Sequence, residues 1–118
     1  MGWAGIVVDE EHGGVDMGYL TFGVVLEELG RQLTASPLLA SGLIGATALR
    51  LAGTDAQQKA WLPKVSEGSA IVTLAIDEGP HHAPDGVALV AEKSGDGYAL
   101  TGSKVHVLEG GTADAFVV

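Results

Sequence analysis

The stretch "LAGTDAQQKAWLPKVSEGSAIVTLAI", residues 51–76, changes its hydrophobic period part-way along. Thr54 followed by Gln57 has the spacing of a capping box, in which each side chain satisfies a backbone N–H at the start of a helix. The helix so opened carries Trp61, Leu62 and Val65 and reaches a stop near Gly68. Pro63 inside it predicts a bend or interruption, because proline offers no N–H to the turn before it. Beyond Gly68, "AIVTLAI" is a short apolar run rich in β-branched residues, which predicts a strand.

Upstream the pattern is helical. In "MGYLTFGVVLEELGRQL", residues 17–33, Phe22, Val25, Leu26, Leu29 and Leu33 recur on one helical face, and Glu27 can pair with Arg31 one turn later. Ser36 and Pro37 form a cap and a first-turn proline for a second helix, "PLLASGLIGATALRLA", which Gly53 can close. Downstream, "VALVAEK", "GYALTG", "KVHVL" and "DAFVV" read as further strands, with "KSGDGY" a hairpin whose tip is placed at Asp96 and Gly97. Helices followed by strands predict an α+β chain: three helices in residues 1–68, then part of an antiparallel β-barrel in residues 69–118. The last strand, "DAFVV", lacks neighbours for one face, so the chain reads as a piece of a larger fold.

Composition narrows the function. With 47% hydrophobic and 18% charged residues the chain is a folding sequence, not a disordered one. Fifteen acidic against six basic residues give a net charge of −9, which repels a polyanion and argues against a nucleic-acid partner. The most apolar segment, residues 37–52, is shorter than the roughly 20 residues of a membrane span and carries Arg50. The beginning has no basic region ahead of an apolar run, and the absence of cysteine fits a reducing cytoplasm.

Chemistry-bearing residues cluster in "AIDEGPHHAPDG", residues 75–86. His81 and His82 diverge in an extended loop, and neither they nor Asp77, Glu78 and Asp85 have the spacing of a zinc or calcium site. Asp77 and Glu78 likewise face apart on a strand, and read as two solvated acids at its end. "DEEHGG", residues 9–14, reads as an acidic turn with Gly13 and Gly14 as hinges. There is no dinucleotide fingerprint, P-loop or nucleophile elbow. His106 in "KVHVL" reads as a strand histidine with Val105 and Val107 on the opposite face.

Four stretches in register resemble the acyl-CoA dehydrogenases: "GWAGIVVDEEHGG", "VVLEELGRQLTASPLL", "LAGTDAQQKAWLPKVSEGSAIVTLAI" and "GDGYALTGSKVHVLEGGTADAFVV". That resemblance implies the end of an N-terminal helical domain and the start of a middle β-barrel domain, without the C-terminal bundle that usually carries the catalytic glutamate. It implies FAD, an acyl-CoA substrate desaturated between Cα and Cβ, an electron-transfer flavoprotein as acceptor, and assembly as a homo- or hetero-oligomer. No residue here takes the role of the base.

By the same resemblance, residues 73–82 stand where the family carries a flavin-contacting "T-E-P-G-A-G-S-D" segment, and residues 106–110 where it carries "W-I-T-N-G". The residues implied alongside FAD are Leu74, Ala75, Ile76, His106, Val107 and Leu108. Ile76 and Leu108 replace hydroxyl residues, so any contact falls to the main chain. Asp9 replaces a proline. These departures leave a second reading, a structural subunit of a hetero-oligomer without FAD, and a third, a free-standing acidic interaction module.

Overall fold

The computed structural model describes residues 2–118. After two short 3₁₀ turns, Trp3–Gly5 and Glu10–His12, helix α1 spans Gly18–Arg31. A π-wound segment, Leu38–Gly45, runs directly into α2, Ala46–Ala52, and α3 spans Asp55–Glu67. The strands are β1 (Val72–Leu74), β2 (Val90–Ser94), β3 (Gly97–Thr101) and β4 (Ala115–Val117). Helices precede strands, as the change of period near Gly68 requires.

Each boundary has a local cause. The Thr54 hydroxyl accepts from the Gln57 N–H and the Gln57 side chain accepts from the Thr54 N–H at 2.8 Å, a complete capping box. At the other end Gly68 takes a left-handed φ of 75°, and the Ser69 N–H reaches the Lys64 carbonyl. Pro63 lies inside α3 and does not interrupt it. One missing N–H leaves the remaining turns intact, and Leu62 and Val65 on either side of it are buried and hold the helix to the core.

Leu33 departs from the sequence reading. It lies past the end of α1 at φ 48°, 91% exposed, in the left-handed cap position where Thr34 N–H closes onto the Leu29 carbonyl. The face of α1 that does pack consists of Phe22, fully buried, with Val25 and Leu26 against it.

The core gathers Ile6, Val7 and Val8 from the N-terminal segment, Phe22, Ala46 and Leu49, Leu62 and Val65, and Val72 from β1. Arg50 ties the first of these in place, donating to the Val7 carbonyl and to Asp9 Oδ1. Ser41 accepts from the Val72 N–H at 3.0 Å, and Gly45 lies so close that a Cβ there would stand 2.1 Å from the Val72 carbonyl oxygen. The helical layer is thereby fixed against β1.

β1 pairs with β4 in parallel, Val72 opposite Ala115. β2 and β3 form an antiparallel hairpin. Its tip is one residue earlier than expected, at Gly95–Asp96 between paired Ser94 and Gly97, with Gly95 at φ 60° as the first position of this turn demands. Among the described residues the strands form two separate pairs, and no barrel closes. The segments "AIVTLAI" and "VALVAEK" are strands only over Val72–Leu74 and from Val90 on, and "KVHVL" is not a strand.

Candidate functional site

β1 presents alternate faces, and the two segments singled out from sequence meet across one of them. Thr73, fully buried, donates its hydroxyl to the Leu108 carbonyl at 2.8 Å. Beyond the end of β1 the Asp77 carbonyl accepts from the Val105 N–H at 2.7 Å. Leu74, Ala75 and Ile76 are thus placed beside His106, Val107 and Leu108, although they are far apart in sequence.

The second segment holds its position as a turn. His106 has φ 54° and Glu109 φ 55°, both left-handed, so the strand expected at "KVHVL" is broken at its centre. The Gly110 N–H closes back on the Val107 carbonyl, and those of Thr112 and Ala113 on Glu109. The N–H groups of His106, Val107 and Leu108 make no hydrogen bond to protein among the described residues.

Ala75 and Val107 border one open hollow of ≈ 540 Å³ with Leu100, Lys104, Gly110 and Phe116. Leu74 faces the other way, into an apolar groove of ≈ 350 Å³ shared with Tyr19, Leu43, Ile44, Thr47 and Leu51. The Thr47 hydroxyl lies 3.3 Å from the Tyr19 phenol oxygen, a polar contact within that groove's lining.

Asp77 and Glu78 lie past the end of β1 and are not solvated acids; each is taken up by different partners. Asp77 Oδ1 lies 3.0 Å from His82 Nδ1 and accepts from the Ala83 N–H, so the loop is folded back on its own stem. The His82 hydrogen bond, followed by that from Ala83, holds the Asp77 carboxyl below its ordinary value. Glu78 accepts from Lys104 Nζ at 2.7 Å and from the N–H groups of Ala88 and Leu89, and Lys104 is the first cause of its carboxyl being held low. Lys104 also donates to the Ile76 carbonyl at 3.0 Å. His81 and Asp85 are exposed.

In "DEEHGG" Gly13 is a hinge at φ 78°, whereas Gly14 is required by close packing, a Cβ there falling 1.9 Å from the Val8 carbonyl oxygen. Asp9, Glu11 and His12 bring ligand atoms within 4.8 Å of one another, and the buried His12 Nδ1 lacks a hydrogen-bond partner among the described residues. The Asp9 carboxylate is already engaged by Arg50 at 2.7 Å, which pins the N-terminal segment to α2.

Thr73, Lys104 and Ser41 are the working residues that sequence reasoning did not single out. Their partners lie 35, 26 and 31 positions away, beyond any local periodicity. The lysine carries one usable signal, since a cation two residues before His106 in an otherwise apolar run needs an acid to be buried against.

A helical block sealed onto a β layer, with a turned segment at residues 106–108 whose main-chain N–H groups are unpaired among the described residues, matches one family of known proteins. A family profile described as "Acyl-CoA dehydrogenase, N-terminal domain" matches residues 1–69. Acyl-CoA dehydrogenase FadE27 of Mycobacterium tuberculosis is 38% identical over 92% of this chain and 28% of its own length. Mitochondrial isovaleryl-CoA dehydrogenase of Pongo abelii is 34% identical over the whole chain and 29% of its own. Among solved structures, the ChsE4–ChsE5 complex of Mycobacterium tuberculosis superposes with a TM-score of 0.85 at 36% identity, over 99% of this chain and 31% of that one. The chain belongs to the acyl-CoA dehydrogenase family, and it spans less than a third of the length of the relatives it matches.

Proposed function

We propose that this chain supplies the flavin-facing wall of an FAD-dependent acyl-CoA dehydrogenase. The observation that carries the reading is the pairing of residues 73–77 with residues 104–108, which leaves the His106, Val107 and Leu108 amides without a partner among the described residues. Flavin ring oxygens and nitrogens accept hydrogen bonds, so these donors fit FAD even though Ile76 and Leu108 bring no hydroxyl. When bound, FAD supplies the acceptor for a hydride from the acyl β-carbon. The chain's own part is to orient that acceptor with main-chain groups and to line the acyl side with the apolar Leu74 groove.

Asp77 and Glu78 are engaged with His82 and Lys104, so on this reading neither serves as the base. Removal of the α-proton falls to a carboxylate beyond these residues. The same reading takes an acyl-CoA thioester as substrate, an electron-transfer flavoprotein as acceptor, a homo- or hetero-oligomer as the working assembly, and a cytoplasmic location. No helix among the described residues is long and apolar enough to cross a membrane.

The test is to purify the product of the complete reading frame and measure its visible flavin spectrum and released cofactor. A yellow protein whose flavin is bleached by an acyl-CoA supports the enzyme. A well-folded, colourless protein contradicts it and favours a structural subunit, the second reading, which the loss of both hydroxyl side chains at 76 and 108 motivates. The relationship to a complex named for two components, ChsE4 and ChsE5, makes co-purification with a second chain the natural control.

A further inference from the structure

By the resemblance, Ile76 and Leu108 stand where the family carries hydroxyl residues, yet the two segments that this reading sets beside the flavin are held together. What holds them is a nearly buried cation. The Lys104 side chain is 10% exposed and the Glu78 side chain 14%, and their charged atoms meet at 2.7 Å. A lysine so placed is retained only when its donors are satisfied. Here one goes to Glu78 Oε1 and one to the carbonyl of Ile76, the last residue of the first segment.

The carboxylate is equally committed. Glu78 Oε2 accepts from the Ala88 N–H at 2.8 Å, and Oε1 from the Leu89 N–H at 3.1 Å. This one pair therefore joins three places: the end of the first segment, the start of the second two residues before His106, and the point at which the chain returns from loop 79–87. Asp77, bonded to His82 and Ala83, closes the other side of that loop. Apart from this pair, among the described residues, only Thr73 to Leu108 and Val105 to Asp77 link the two segments by hydrogen bonds.

We propose that Lys104 is a positioning residue: by bridging the Ile76 carbonyl and the Glu78 carboxylate it fixes the spacing of residues 74–76 and 106–108, so that main-chain amides alone suffice to hold a flavin. The spacing role stands on these contacts, and its consequence for flavin rests on the function proposed above. A lysine at 104 that merely stabilised the fold would change the amount of folded protein but not the environment of flavin bound to it.

The experiment uses the product of the complete reading frame with Lys104→Met, which keeps length and apolar stem, Lys104→Arg, which keeps the donors, and Glu78→Gln, which keeps an acceptor. Two readouts are taken: hydrogen exchange of the Ala88, Leu89 and Val105 amides, and flavin affinity with the visible circular dichroism of bound FAD. Lys104→Met is expected to speed exchange at all three amides roughly ten-fold and to weaken flavin binding about ten-fold, the scale seen when a residue that orients a ligand-holding group is removed. The dichroism of the residual bound flavin should change, and Lys104→Arg should restore much of both readouts. Unchanged exchange in Lys104→Met overturns the brace itself, and unchanged exchange in Glu78→Gln overturns it equally if the methionine variant does not fold. Faster exchange with unaltered affinity and dichroism overturns its role toward flavin. If the parent binds no FAD, the proposed function fails, while the exchange data still decide the brace.

Discussion

Two residues show where single side chains set the local structure. Leu33 adopts φ 48° with its side chain in solvent, a left-handed conformation that costs an L-residue roughly 1 kcal/mol and glycine almost nothing. Leu33→Gly should therefore stabilise the protein by about 0.5–1 kcal/mol, measurable by denaturant titration; a loss of stability would show that the cap geometry is wrong. Thr73→Val keeps the shape of a buried residue but removes its donor to the Leu108 carbonyl. A loss of about 1–3 kcal/mol is expected, with faster exchange at the Gly110, Thr112 and Ala113 amides that close this turn and little change in α3. At this scale the sequence was legible wherever cause and effect lie within one turn, as with Thr54 and Gln57. It was illegible at Thr73 and Lys104, because each acts on a carbonyl or carboxylate that only folding brings near. Leu33 misled for a related reason: its spacing fits the apolar face, but the helix ends before reaching it.

At the scale of elements, α3 and β1 form the hinge of the structure and were legible because capping, period and glycine stop all agree. Leu62→Ala, in the middle of that helix and fully buried, should cost about 2–5 kcal/mol in thermal or chemical unfolding. A cost near zero would mean that α3 does not pack as described. The element that misled was "KVHVL": its alternation is that of a strand, yet β1 spends its ladder on β4, and positive φ at His106 turns the segment instead. Loop 79–87 has a pH response with a definite sign. Asp77 and Glu78 are both held below their ordinary values of 3.8 and 4.5, so their contribution is complete above those values and is lost as pH falls through the lowered ones. The amide resonances of Ala83, Ala88 and Leu89 should move together below about pH 4, before the helices melt. Resonances that stay fixed until global unfolding would contradict the tethering.

For the molecule as a whole, the helical layer has a closed core while the β layer is open. Both strands of the β2–β3 hairpin are exposed along their length, with Tyr98 and Leu100 in solvent. A lone hairpin is marginal in water, so in this 118-residue chain its amides should exchange far faster than those of Leu62, Val65 and Val72. Equal protection would mean that the hairpin is covered in a way this structure does not show. The division into helices then strands was legible from period alone, but the lateral order of strands was not, since parallel β1 and β4 are separated by the whole hairpin. The flavin reading depends on the unpaired amides of residues 106–108, and its sharpest test is hydrogen exchange at those three positions, in the product of the complete reading frame with and without added FAD. FAD is expected to slow exchange at His106, Val107 and Leu108 while leaving the exposed hairpin unchanged; exchange at these amides that is indifferent to saturating FAD would contradict the reading.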